Sequence, residues 1–195
     1  MHKNRLEAFS DGVLAIIITI MVLEMKVPRG VDTGALRPLL PVFLSYVLSF
    51  VYIGIYWNNH HHLFQAVQQV NGRVLWANLH LLFWLSLFPF VTGWLGGNLC
   101  TNQPVALYGV ILLMAGIAYF ILTRALLACH EPHSDLARAV GRDFKGGISV
   151  VIYAAGIGLA FLQPWLAVAM YVVVAGIWLV PDRRIERVLH QRSGP

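Results

Sequence analysis

RLEAFSDGVLAIIITIMVLEMKVP, from Arg5 to Pro28, opens like the first turn of a soluble helix and becomes a nearly unbroken apolar run with one carboxylate, Asp11, near its start. A helix needs about 20 mostly apolar residues to cross a bilayer, and this stretch has them. It is too long for a signal-peptide core, holds an acid, and has no small-x-small cleavage pattern before Glu24-Met25-Lys26, so it reads as a retained span. The whole chain agrees: 195 residues, 58% hydrophobic and 12% charged, where soluble domains are about a quarter charged. The sequence leaves no room for a separate soluble domain and reads as a single transmembrane domain over 1–195.

Working outward, five more spans are expected. They cover about Pro38 to Trp57 (with helix continuing to Phe64), Val74 to Leu95, Pro104 to Leu127, Gly147 to Leu162 and Trp165 to Val180. Gln163-Pro164 marks a tight turn between the last two. The fold class is therefore an all-α integral membrane protein with six transmembrane helices. With the N-terminus inside, Lys3, Arg5, Arg73, Arg124, Arg138, Arg142, Lys145, Arg183, Arg184, Arg187 and Arg192 all fall on the cytoplasmic side. Lys26, Arg29 and Arg37 fall outside. The positive-inside rule then puts both termini in the cytoplasm; the expected location is the plasma membrane. The net charge of +5 is a topology signal; nucleic-acid binding would need a basic soluble face. Pro89 is a kink candidate in the third span, and a short helix from about Ser134 is expected in the longest loop. Ala154 and Gly158 read as close-packing points.

A helical step of 100° per residue puts Gly12, Ile16, Thr19, Ile20 and Leu23 on one stripe running the depth of the first span. Ser10 and Asp11 point well away from it. A carboxylate at that depth costs about 2.5–3.5 kcal/mol by insertion scales, so it needs a partner. Trp57, His60, His61 and His62 at the end of the second span, with Asn78 and His80 at the start of the third, lie at similar depth. Arg5 reaches Asp11 only from a neighbouring helix or subunit. The cluster reads either as a folding lock or as a proton or ion site.

His60-His61-His62 invites a metal, but consecutive helical residues point 100° apart and do not converge on one ion. Cys100 and Cys129 fall on opposite sides of the membrane and make no zinc spacing. No metal, haem or other cofactor is expected, and no nucleophile–base set points to an enzyme.

Arg5-x-x-x-Phe9-Ser10-Asp11 on a first transmembrane helix resembles the signature of the transmembrane protein 175 family, potassium-permeable channels. LAIIITIMVLEMKVP, YWNNHHHLF and NLHLLFWLSLFPF extend the resemblance. It implies a single-repeat chain of the prokaryotic type, acting as a homotetramer with the first helix of each subunit lining the pore. It also implies a permeation path for potassium and other monovalent cations, without a TVGYG-type filter. The narrowest ring falls on Ile16, with Leu23 near the outer end and Thr19 at a selectivity-linked position. The signature Ser and Asp are directed into packing, in a network that takes in Arg5, Phe9, Trp57, His60, His61, Asn78 and His80. Four copies of Glu7 and Glu24 would bias the mouths toward cations or stand as solvated end charges. A narrow aliphatic ring gates by dewetting.

A proton-coupled transporter using Asp11 and the inner-side histidines is the alternative. Such proteins often show paired broken helices near the midplane, which this sequence lacks.

Overall fold

The computed structural model describes residues 3–28, 30–98, 101–131, 134, 136 and 144–179. Among them every regular element is helical. The helices are α1 (Lys3–Leu23), α2 (Leu40–Gln65), α3 (Gly72–Ser86), α4 (Phe88–Gly97), α5 (Asn102–Leu127), α6 (Phe144–Ala160) and α7 (Pro164–Leu179), with a 3-10 segment, Thr33–Leu39, leading into α2. By length and composition four helical stretches can cross a membrane: Lys3–Leu23, Thr33–Gln65, Gly72–Gly97 and Asn102–Leu127. Lys145–Ala160 and Pro164–Leu179 are shorter apolar helices. The loop helix expected from about Ser134 and the basic residues beyond 179 fall largely outside the described residues.

Sequence sets where these helices start. Pro41, Pro89, Pro104 and Pro164 each lie in a first turn, where the missing N–H has no intrahelical partner to lose. The Asn71 side chain accepts from the Val74 amide at 3.0 Å and caps α3. The third expected span is two helices, α3 and α4, meeting at Leu87 just before Pro89. The first helix ends at Leu23, earlier than the apolar run implies: the charged Glu24-Met25-Lys26 follows at once. The second continues through the three histidines to Gln65.

α5 packs against α3 and α6, α6 against α7, and α2 against α4, while α1 touches α2, α3 and α4. Lipid tails are as apolar as the side chains, so close packing and internal hydrogen bonds carry much of this association. A β-carbon at Gly96 would lie 2.7 Å from Val42 Cα, so α4 and α2 meet backbone to backbone there. At Gly156 it would lie 2.6 Å from the Tyr171 ring. Ala154 and Gly158, the small residues expected at close contacts, are instead exposed, and a β-carbon at Gly158 meets nothing within 4 Å. They lie on the outer face of α6, whereas Gly156 lies on its inner face. A polar thread runs through the core. Thr92 Oγ1 donates to Ser49 Oγ at 2.7 Å, Ser49 meets Tyr108 Oη at 3.0 Å, and Tyr52 Oη donates to the Tyr171 carbonyl at 2.6 Å.

Candidate functional site

The first helix has two faces. Leu6, Ser10, Leu14, Ile17 and Met21 are buried in the protomer, at the three- and four-residue spacing of one helix side. Phe9, Gly12, Ile16, Thr19, Ile20 and Leu23 are exposed on the other. Ile16 is 58% and Leu23 78% exposed, so the protomer itself does not cover the stripe. The Thr19 hydroxyl donates back to the Ile16 carbonyl at 2.8 Å.

The other flank is fastened in two places. Asn78 Nδ2 donates to Ser10 Oγ at 2.9 Å, and Ser10 Oγ donates to the Leu6 carbonyl at 2.8 Å. Behind them His60 Nε2 lies 2.9 Å from Asn78 Oδ1. An amide oxygen only accepts, so this nitrogen carries the proton. Ser10, Asn78 and His60 are all buried, which makes the chain a satisfied interior network.

The second fastening is a ladder between α1 and α2. Trp57 Nε1 donates to Asp11 Oδ1 at 3.1 Å, and His61 Nδ1 lies 3.2 Å from Glu7 Oε1. Glu7 and Asp11 are four residues apart on α1, as are Trp57 and His61 on α2, so each pair shares a helix face. The Trp57 and His61 rings stack with centroids 6.0 Å apart. His61 Nε2 also meets Gln65 at 2.8 Å. At the N-terminal end of α1, Lys3 Nζ donates to the carbonyls of Phe64 and Val67 at 3.3 and 3.0 Å, satisfying orphan acceptors where α2 stops.

Four residues expected in or beside this cluster stand elsewhere. His80 accepts from Trp84 Nε1 on its own helix at 2.9 Å; two residues from Asn78, it points to the opposite side of α3. Phe9 is exposed on the Ile16 side, because its helical angle is close to that of Ile16. Arg5 is exposed on the same side and makes no ion pair with Asp11 among the described residues. His62 Nδ1 is buried without a hydrogen bond. The three histidines thus turn three ways, and among the described residues no three His, Cys, Asp or Glu gather as a metal site. Glu7 is a ladder rung. Glu24 lies beyond the end of α1, over Gly93 of α4, in a cleft it shares with Phe90 and Trp94. The partnership of Glu7 with His61 and the Lys3 tie were missed in the sequence. The one available signal for the first was the four-residue spacing in both helices.

This architecture defines a multi-pass helical membrane protein whose first helix is anchored on one side and left uncovered on the other. Comparison with known proteins narrows the class. The family model described as "Endosomal/lysosomal potassium channel TMEM175" matches residues 5–89. A protein of Chryseobacterium sp. (strain P1-3) named as a potassium channel is 56% identical over 191 residues, 98% of this chain and 100% of that one. The crystal structure of a "lysosomal potassium-selective channel TMEM175 homolog" from Chamaesiphon minutus superposes with a TM-score of 0.78 at 30% identity, over 91% of this chain and 96% of that one. The Bos taurus "Endosomal/lysosomal proton channel TMEM175" is 32% identical over 162 residues, 73% of this chain and 33% of that longer protein. The chain belongs to the TMEM175 family.

Proposed function

We propose that this chain is a potassium-permeable cation channel, passive in conduction, with the first helices of four subunits lining the pore. The observation that carries the reading is the two-faced α1. One face is locked to α2 and α3 through Trp57–Asp11, His61–Glu7 and Asn78–Ser10. The opposite one, Gly12, Ile16, Thr19, Ile20 and Leu23, is left without cover by its own protomer. Four such faces around an axis make an aliphatic constriction at Ile16, which gates by dewetting and leaves selectivity to radius and hydroxyls. The bacterial relatives named as potassium channels match along nearly their whole length, which supports potassium as the permeant ion. In this reading the domain spans 1–195 with six membrane crossings, α3 and α4 forming one of them. Both termini are cytoplasmic and the membrane is that of the cell.

The proton-coupled alternative draws on the animal relatives named as proton channels. Against it, Asp11 bonds Trp57, whereas His60 bonds Asn78 and His61 bonds Glu7, so Asp11 makes no hydrogen bond to a histidine among the described residues. The test is the mass of the detergent-solubilised complex, paired with potassium and proton flux in liposomes. A mass of four chains with passive potassium flux is the expected result. A single-chain mass, or saturable proton-driven uptake, contradicts it.

A further inference from the structure

A cavity of about 330 Å³ opens between α2, α5, α6 and the end of α7. Six aromatic rings stand in its walls, those of Tyr52, Tyr56, Tyr119, Phe120, Tyr153 and Trp178. That is the size and character of a small-molecule site, an apolar chamber with a few placed polar groups. Most of the polar groups in the wall are spent inside the protein. Tyr52 Oη donates to the Tyr171 carbonyl, Tyr153 Oη to Tyr52 Oη at 3.4 Å, and Tyr119 Oη to the Asn59 carbonyl at 3.2 Å. Trp178 Nε1 donates to Ser149 Oγ at 2.9 Å, and that hydroxyl donates to the Lys145 carbonyl.

Tyr56 is different. It is only 9% exposed, yet its hydroxyl has no hydrogen bond among the described residues. It faces Gly116, where a β-carbon would stand 3.9 Å away. Among the described residues the buried unpartnered side-chain atom is His62 Nδ1, so the Tyr56 oxygen is not sealed off and keeps a donor open to the chamber. Aromatic hydroxyls usually find a partner when largely buried, and an oxygen acceptor on a body that suits an aromatic chamber supplies one. The walls come from four apolar helices, which suits a guest that partitions into the bilayer.

We propose that this cavity binds a neutral single-chain amphiphile from the membrane, its oxygen accepting from Tyr56 Oη and its alkyl chain lying among the rings. Among the described residues no carboxylate, lysine or arginine lines the chamber, which suits an uncharged head. The site lies on the flank of α2 away from Trp57 and His61, and its binding does not depend on the conduction reading.

The test is photolabelling of the full-length protein in phosphatidylcholine liposomes with a decyl alcohol bearing a diazirine, mapped by peptide mass spectrometry. Label is expected on the cavity walls and is displaced by excess decanol. Tyr56→Phe keeps the ring and weakens labelling about five-fold, the worth of one neutral hydrogen bond. Gly116→Leu fills the chamber, since a β-carbon there stands in ordinary contact with both Tyr56 Oη (3.9 Å) and the Tyr153 ring (4.0 Å), and reduces cavity labelling about ten-fold or more. Label confined to the lipid-facing surface, or cavity label that decanol does not displace, overturns the proposal. So does unchanged labelling in a folded Gly116→Leu protein.

Discussion

Asn78 donates its side-chain amide to the hydroxyl of Ser10 across 2.9 Å, and neither residue has any exposed surface. The bond ties α3 to the first helix, and His60 closes it from the other side of the amide. Removing the middle of such a chain leaves two groups unpaired, whereas removing its end leaves fewer. Asn78→Ala is therefore predicted to destabilise the protein by about 2 kcal/mol and Ser10→Ala by about 1 kcal/mol. Thermal unfolding in detergent reads both. Equal midpoints for both variants and the native protein contradict the network.

Asp11 accepts from Trp57, and an amide oxygen accepts as well as a carboxylate oxygen does, though less strongly. Asp11→Asn is predicted to retain most of the potassium flux, with a stability loss of less than about 1 kcal/mol. Asp11→Leu removes the acceptor and is predicted to lower the unfolding midpoint further. If Asp11 were instead a proton-coupling group, the Asn variant would abolish transport, so a dead but well-folded Asp11→Asn protein contradicts the anchor.

Two glycines on α6 separate contact from mere smallness. Gly156→Ala drives a methyl into the Tyr171 ring and is predicted to cost about 1–3 kcal/mol by overpacking. Gly158→Ala enters open space and is predicted to be neutral. A calorimetric scan of the two variants checks the order, and equal midpoints would refute the proposed packing of α6 on α7.

Much of this arrangement was readable in advance. The 3.6-residue period of the first span separates Ser10 from the Ile16 stripe, and the structure buries one and exposes the other. The expected donors from the second and third spans include Trp57 and Asn78, which do bond the Ser-Asp pair. The period of one helix says which residues share a side, but not which neighbour that side meets. That is why Phe9 and His80 were grouped with a cluster they do not enter. Residue size likewise carries no information on facing: Gly156 packs inside the protomer and Gly158 faces outward from it. The Tyr56 cavity lay wholly out of sight, because its walls come from four helices distant in the chain.

The central claim is that the exposed stripe of α1 forms the ion path, and Ile16 tests it most directly. Its side chain is 58% exposed in the protomer, so a polar replacement costs the fold little. Potassium flux is measured on purified native and Ile16→Asn protein in liposomes. The account predicts flux above empty liposomes for the native chain and a several-fold rise for Ile16→Asn, as a wetted ring lowers the dewetting barrier. Native flux no greater than that of empty liposomes, or identical flux in the two proteins, contradicts it.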